Sequence, residues 1–234
     1  MDQKSSDLGD YSADFTGFGV REWRTARDLV IAPKRVLEAW LGRPREYELI
    51  YARPLAFYLG LNSILLLFSF LHNHGKTLIT ALPPELLEPI VARSGKSAEV
   101  FIGDADNWLG LVLVPVSCVV YGVVAIPVLR WWDRDTLGWE RGLRSAMAYL
   151  SAWTVTALPI SWWAYEEGVL GLTVGAAIAM LSVIAFVRMG KGRWFDRLWV
   201  GLLRGAALTL LIYAASAIAL FAVLPGILWA ASVI

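Results

Sequence analysis

Residues 146–187 read AMAYLSAWTVTALPISWWAYEEGVLGLTVGAAIAMLSVIAFV. This stretch holds two apolar runs, and only Glu166, Glu167 and Gly168 separate them. Each run has about the 20 residues that an α-helix needs to cross the hydrocarbon core of a bilayer. Because so short a turn leaves no room for another element, the two runs are predicted to form an antiparallel pair of transmembrane helices.

Three further apolar runs flank this pair. The five predicted spans cover residues 54–71, 108–129, 146–165, 168–187 and 205–229. Several Trp residues stand at the span ends, where an amphipathic ring lies best at headgroup level, and only Trp153 lies well inside a span. The composition agrees, because 57% of the residues are hydrophobic and 18% are charged. We therefore expect an all-α, polytopic membrane bundle of five transmembrane helices.

The basic residues alternate between the two sides of the predicted spans. Of the 21 Lys and Arg residues, 18 precede the first span or lie in the loops that share its side, and three lie on the opposite side. Basic residues beside a span are retained in the cytoplasm. The sequence therefore predicts a cytoplasmic N-terminus and an outer C-terminus.

The region before the first span has two parts. Residues 1–19 are polar, lack the apolar core of a signal peptide and are predicted to be a disordered tail. Residues 20–53 interleave Trp and aliphatic residues with Arg and Lys, and Pro33 is placed to open a second helix. These residues are predicted to form cytoplasmic amphipathic helices, which either lie on the inner membrane face or pack beneath the bundle as caps.

Seven basic residues are candidates for binding lipid headgroups or docking a partner. Four belong to the N-terminal helices and three to residues 188–204, a second basic segment that is also predicted to lie at the interface. They are Arg24, Arg27, Lys34, Arg35, Arg193, Arg197 and Arg204. The alternative is that they only mark the cytoplasmic side, with their charges reaching water.

Within the spans the sequence places no Asp, Glu, Lys, Arg or His residue. Transporters that move ions or protons usually carry such a residue at membrane depth. Polar side chains such as Asn62 and Tyr213 remain, and four prolines could free backbone groups that line a pathway. Gly171, Gly175 and Ala179 form a small-residue stripe that predicts close approach by another helix, of the same bundle or of a second copy.

Motifs for metal binding or catalysis are weak. His72 and His74 share the outer side with several carboxylates, but their spacing is not a ligand motif, so a metal site there is a weak candidate. Two Gly-Lys-Ser/Thr sequences lack the earlier glycine of a phosphate-binding loop. A disulfide within the chain is excluded, since Cys118 is the single cysteine. We predict no catalytic residue, no cofactor and no nucleic-acid partner.

Short motifs near the first and third spans resemble an uncharacterised bacterial family of five-span membrane proteins, which is distantly similar to the Yip-type proteins that partner Rab GTPases in eukaryotes. Residues 148–152 with Pro159 are similar to the Tyr-Ser-Pro region of that group. The other residues that carry the resemblance are Arg27, Asp28, Leu29, Pro33 and residues 51–54. The zinc-ribbon cysteines of many bacterial members are missing here, so any role of that ribbon does not transfer.

The resemblance implies a non-enzymatic scaffold, adaptor or accessory subunit of the bacterial inner membrane, acting with lipids and with another membrane protein or itself. The small-residue stripe, the Trp-rich surfaces and the missing charges favour the same function. The alternative is a small-molecule or lipid transporter that uses the proline-kinked helices. An enzyme acting on a lipid is the third hypothesis, with His72 and His74 as its chemistry.

Overall fold

The computed structural model describes residues 19–42, 48–72, 79–80, 82–166 and 168–233. In these ranges the chain is helical and has no strand, which confirms the all-α class. The tail predicted for residues 1–19 lies outside them, apart from Gly19. The helices are α1 (Val20–Ile31), α2 (Pro33–Leu41), α3 (Pro54–His72), α4 (Pro84–Ser94), α5 (Ala98–Trp132), α6 (Trp139–Ser161), α7 (Val169–Gly190) and α8 (Leu198–Val233), with a 3-10 turn (Trp162–Tyr165) after α6.

Four of the described helices, α3, α5, α7 and α8, are long and apolar enough to cross a membrane. The first and fourth predicted spans match α3 and α7 closely. The second and fifth fall inside α5 and α8, which have 35 and 36 residues. At 1.5 Å per residue each is about 50 Å long, which exceeds a hydrocarbon core of about 30 Å. Their ends therefore extend beyond the apolar runs that the sequence marks.

The predicted third span corresponds to α6, which is not among these four helices. It lies at the centre of the bundle. Helices α3, α5 and α7 pack against it, and α5 and α7 both pack against α8. Residues 145–153 of α6 are buried without interruption. Because its neighbours shield it from lipid, α6 does not need the apolar surface that a lipid-facing helix requires. The predicted pairing of α6 with α7 is confirmed.

Helices α1 and α2 pack against α6. On α2 the Trp40 ring is fully buried, and its Nε1 donates a hydrogen bond to the Ala52 carbonyl at 3.1 Å. On α1 the Thr25 hydroxyl accepts from the Ala52 amide at 2.9 Å. The caps that the sequence offered as one alternative are thus formed. The opposite face of α1 exposes Val20 and Trp23, so contact with the membrane surface is still compatible with this packing.

Residues 188–204 do not form one surface helix. They comprise the end of α7, a tight turn and the start of α8. The Trp194 and Phe195 rings are buried and stack on Phe186, with centroids 5.1 and 5.8 Å away. Glycine allows this approach, since a Cβ at Gly190 would lie 2.3 Å from Trp194 and one at Gly201 would lie 2.4 Å from Phe195. These two aromatic side chains belong to the core and not to the interface.

A second, smaller core explains why α5 and α8 are so long. The start of α5 packs on the end of α8, and α4 covers both. Phe101 of α5 and Ile227 of α8 are among its buried residues. Lys96, just before α5, forms an ion pair with Asp104 at 2.6 Å and donates to the Ala231 carbonyl at 2.9 Å. The helices continue because they find protein contacts where the apolar runs end.

Candidate functional site

A cavity of about 300 Å³ lies between α6 and the helices around it. Residues of α3, α5, α6, α7 and α8 line it, together with the 3-10 turn that follows α6. Its volume is at the lower end of the range for pockets that hold small molecules. Five helices of the bundle thus contribute to one partly open space, which is the candidate functional site.

Small residues open this space. Gly175 and Ala157 line the cavity, and a Cβ at Gly175 would meet no atom within 4 Å. The residues of the predicted packing stripe therefore have different surroundings. Gly175 faces the cavity, whereas a Cβ at Gly171 would lie 2.0 Å from the Glu166 carbonyl oxygen. Ala179 is half-buried. Gly171 serves the turn before α7, and Gly175 provides room.

Three aromatic side chains form one wall of the cavity. The Tyr121 and Trp153 rings stack with centroids 5.3 Å apart and an interplanar angle of 21°. The Tyr213 ring meets Trp153 edge-on at 6.1 Å. Trp153 is held in place because its Nε1 donates to the Ile178 carbonyl at 3.0 Å. Trp153 itself is 4% exposed, and the half-buried Tyr121 and Tyr213 rings offer apolar surface to a ligand.

The polar side chains of the cavity are largely unpaired within the described part of the chain. The hydroxyl groups of Ser117, Thr154 and Tyr213 make no hydrogen bond to any described residue. Asn62 makes one, from its Nδ2 to the Tyr58 carbonyl at 2.8 Å, which leaves its Oδ1 without a donor among the described residues. Four polar groups from four helices are therefore available to a molecule in the cavity.

Hydroxyl groups elsewhere in the bundle show the usual alternative. In an apolar helix a Ser or Thr hydroxyl commonly donates to the carbonyl four residues earlier. Five residues do so at 2.7 to 3.0 Å: Ser63, Thr156, Thr173, Thr209 and Ser216. Ser145 and Ser151 are fully buried without a partner, but neither lines the cavity. Ser161 also lines the cavity, but its hydroxyl donates to the Leu158 carbonyl at 2.8 Å. The hydroxyls of Ser117, Thr154 and Tyr213 differ because they are both unpaired among the described residues and adjacent to open space.

No Asp, Glu, Lys, Arg or His is among the described residues that line the cavity. A charged ligand would bury its charge without a counterion, which is costly in a low-dielectric interior. Apolar side chains such as Leu65 and Leu113 complete the lining. The site therefore suits an uncharged molecule that has both apolar surface and hydrogen-bonding atoms.

Three hydroxyl groups near the other half of α6 are paired with one another. The Tyr149 and Ser182 hydroxyls lie 2.6 Å apart, and Ser182 Oγ lies 2.8 Å from Thr209 Oγ1. All three residues are buried. This series of hydrogen bonds joins α6, α7 and α8. Because its three residues are buried and line no part of the cavity, we assign it a structural role.

The predicted docking residues divide into structural and exposed groups. Arg193 bonds both carboxyl oxygens of Asp133, at 2.5 and 3.1 Å, and Arg204 donates to the Trp194 carbonyl. Lys34 donates to the Lys191 carbonyl at 3.0 Å. These bonds connect α2 and the segments before α6 and between α7 and α8. The remaining four are exposed on the surface: Arg24, Arg27, Arg35 and Arg197.

The Asp28 carboxyl fastens α1 to the segment before α3. It accepts hydrogen bonds from Arg27 Nε at 2.9 Å and from the Tyr51 hydroxyl at 3.0 Å. Burial alone raises the pKa of Asp28, but these hydrogen bonds outweigh it, so the pKa lies below its ordinary value. Burial and the bond to Asp28 raise the pKa of Tyr51. At neutral pH the pair is a carboxylate and a neutral phenol.

The structure offers no support for a metal centre within its described residues. No three His, Cys, Asp or Glu side chains there come together in a group that could hold an ion. The weak candidates fall outside this part of the chain, because His74 and the side chain of His72 are not described.

The cavity itself was not predicted. Asn62, Ser117, Thr154 and Tyr213 stand out in the sequence as polar residues within spans, but nothing there shows that they face one another. The one available signal is Trp153, because the other tryptophans lie at or beyond the ends of the predicted spans.

Comparisons with protein-family models, curated proteins and solved structures found no match for this chain. A fold alone does not determine a function, and here the residues of the site are the available guide. They form a neutral, aromatic-walled cavity with unpaired hydrogen-bonding groups inside a bundle of apolar helices.

Proposed function

We propose that the protein crosses the bacterial inner membrane five times, with its N-terminus in the cytoplasm, its C-terminus outside and α6 as the central span. With 23 residues α6 is about 35 Å long, enough to cross a hydrocarbon core. The four apolar helices and the placement of 18 of the 21 basic residues on one side support this topology.

Single cysteines in a Cys118→Ser background test the topology in intact cells. With five spans, a membrane-impermeant thiol reagent labels Glu166→Cys and leaves Arg197→Cys protected. If α6 does not cross, the pattern of these two positions reverses. Glu88→Cys on α4 is labelled in both arrangements and serves as the positive control. All three positions are exposed.

We propose that the exposed face of α1, which points away from the bundle, rests on the cytoplasmic leaflet of the membrane. Val20, Trp23 and Ile31 are exposed there, opposite the face that packs on the bundle. Arg24 lies on the same face and is exposed, where it would meet anionic headgroups. In this arrangement α1 serves both as a cap for α6 and as an anchor at the interface.

For function, we propose that the protein takes a small, uncharged amphipathic molecule from the membrane into the central cavity, as a small-molecule or lipid transporter or binding protein. The observation that carries this proposal is the convergence of four unpaired polar groups on one cavity. None of the four groups is among the fully buried polar atoms, so each is accessible from the cavity. A molecule in the cavity can therefore form hydrogen bonds with them. No catalytic residue is needed for this role.

Filling the cavity tests the proposal. Gly175→Leu adds a side chain into open space, whereas Gly226→Leu makes the same change on the exposed surface of α8, where a Cβ also meets nothing within 4 Å. After gentle extraction, native mass spectrometry should find a small molecule bound to the wild type and to Gly226→Leu and absent from Gly175→Leu. Identical bound molecules in all three proteins would contradict the proposal, since surface lipids are common to all.

A scaffold, adaptor or accessory subunit is the second candidate. Trp23 and Trp131 are 66% and 82% exposed, and aromatic residues of this kind are enriched where proteins meet. The resemblance to the Yip-type proteins favours the same function. The same mass spectra distinguish the two candidates, because an adaptor should be recovered with a second protein, or a second copy, at fixed stoichiometry.

A further inference from the structure

The cavity also indicates what kind of molecule it binds, an inference that rests on the proposed function. Trp153 is 4% exposed, because its ring stacks on both Tyr121 and Tyr149, so the aromatic surface that the cavity offers belongs mainly to the two tyrosines that line it, Tyr121 and Tyr213. Flat aromatic surfaces bind planar rings by offset stacking. Tyr121 and Tyr213 are half-buried, so their rings still have surface to offer. A saturated, puckered ring or a bare alkyl chain would use this wall less well.

Three of the available hydrogen-bonding groups are hydroxyls, which can each donate one hydrogen bond and also accept, and the fourth, Asn62 Oδ1, only accepts. Ser117, Thr154 and Tyr213 each hold a hydroxyl that has no partner among the described residues, and they come from α5, α6 and α8. Because these hydroxyls lie on three helices, they can donate hydrogen bonds to a molecule that has oxygen acceptors on more than one of its edges. Carbonyl oxygens on a ring meet this requirement without carrying a charge, and the cavity's described lining has no charge to offer.

The size of the cavity limits what enters it. At about 300 Å³ it is at the small end of ligand pockets, so it accommodates a single ring head and not a whole lipid. Leu65, Leu113 and Ile178 also line it and supply apolar surface where a tail would leave the ring. Ala164 of the 3-10 turn shows that the cavity extends towards that end of the bundle.

We propose that the cavity binds the head of a quinone-type molecule: an uncharged planar ring with carbonyl oxygens, carried on an apolar tail. The ring stacks on the half-buried Tyr121 ring. The hydroxyls of Ser117, Thr154 and Tyr213 donate to its oxygens. The proposal concerns binding only and includes no redox step.

The test is a titration of the purified full-length protein in nanodiscs with three probes that share a ten-carbon tail. One carries a benzoquinone head, one a cyclohexane head and one a primary alcohol. The quinone probe should raise the melting temperature of the protein with the logarithm of its concentration and bind at least tenfold more tightly than the other two. Ligand binding to the folded state raises stability in proportion to the logarithm of its concentration relative to Kd.

Hydroxyl variants locate the binding. Thr154→Val, Ser117→Ala and Tyr213→Phe should each weaken quinone binding by about two- to tenfold, the usual value of one hydrogen bond. Thr156→Val is the matched control on the same helix, because the Thr156 hydroxyl donates to the Ala152 carbonyl and lines no part of the cavity. It should bind the probe as the wild type does.

The outcomes separate this inference from the proposed function. Equal binding of all three probes, lost in Gly175→Leu, would overturn the quinone assignment and keep the cavity as a binding site for apolar tails. Binding of no probe, together with no cavity-bound molecule in the native spectra, would overturn both. A quinone effect that Thr156→Val weakens as much as Thr154→Val would overturn the proposed pose.

Discussion

Two sets of polar side chains inside the bundle use the same residue types in opposite ways. Tyr149, Ser182 and Thr209 bond one another between three helices. Thr154 and Tyr213, also on α6 and α8, make no hydrogen bond to the described residues and line the cavity. In a low-dielectric interior the first arrangement fastens helices, and the second leaves groups available to a ligand. Pairing and position together separate the structural residues from the functional candidates, since Ser145 and Ser151 also lack a partner but do not line the cavity.

The largest effect is expected where a paired charge is most buried. Arg193→Ala should lower the free energy of unfolding by about 3–5 kcal/mol, because it removes the positive partner of the Asp133 carboxylate and leaves only the hydrogen bond from the Asp135 amide. The Asp133 side chain is 0% exposed. Thermal unfolding of the purified protein in detergent measures the loss.

The control for this change is Arg134→Ala. Arg134 pairs with Asp196, and their side chains are 54% and 62% exposed. Exposed ion pairs contribute at most about 1 kcal/mol. If both variants lost the same stability, the buried ion pair of Arg193 and Asp133 would not be a stronger link between its two segments than an exposed ion pair is.

A smaller effect is expected in the paired hydroxyl chain. Ser182→Ala removes the central group and leaves Tyr149 without its partner and Thr209 with only its backbone bond to Gly205. Hydrogen bonds between membrane helices are worth about 0.6 to 1.7 kcal/mol. We expect the variant to lose about 1 kcal/mol in the same assay. Unchanged stability would mean that the chain does not fasten α6 to α7 and α8.

Sequence predicted the elements of this fold better than their ends. Apolar runs located α3 and α7 well, since lipid-facing helices must be apolar along their length. The same signal could not find the start of α5, where Phe101 packs on the end of α8 instead of on lipid. It also placed Trp194 at the interface, because a tryptophan at helical spacing suits an interface and a core equally until its neighbours are known.

The cavity could not be predicted for a related reason. Its lining comes from five helices that are far apart in the chain, so no period within one helix marks it. Gly175 illustrates the limit: a small residue predicts close packing, and the structure uses it to leave space. Whether a hydroxyl such as that of Ser117 finds a partner depends equally on how the helices assemble.

Acid should loosen the contact that fastens α1. The pKa of Asp28 lies below its ordinary value of 3.8, so its contribution to stability is present above that pH and is lost as pH falls through the lower folded-state value. We expect thermal stability to fall below about pH 4 in the wild type, and the fall to be smaller in Asp28→Asn. If thermal stability fell equally at acid pH in both proteins, carboxylates other than Asp28 would be responsible for the fall.

The smallest effect on stability is expected for the unpaired cavity hydroxyls. A threonine from each set gives the most direct comparison between unpaired and paired hydroxyls. Thr154→Val removes a hydroxyl that has no partner among the described residues, so the free energy of unfolding of the empty protein should change by less than about 0.5 kcal/mol. Thr209→Val makes the same chemical change, breaks the bond to Ser182 and should cost about 1 kcal/mol. Thermal unfolding without ligand compares the two variants. If Thr154→Val were the more damaging, its hydroxyl would have a structural role, and the cavity would lose one of the groups that qualify it as a binding site.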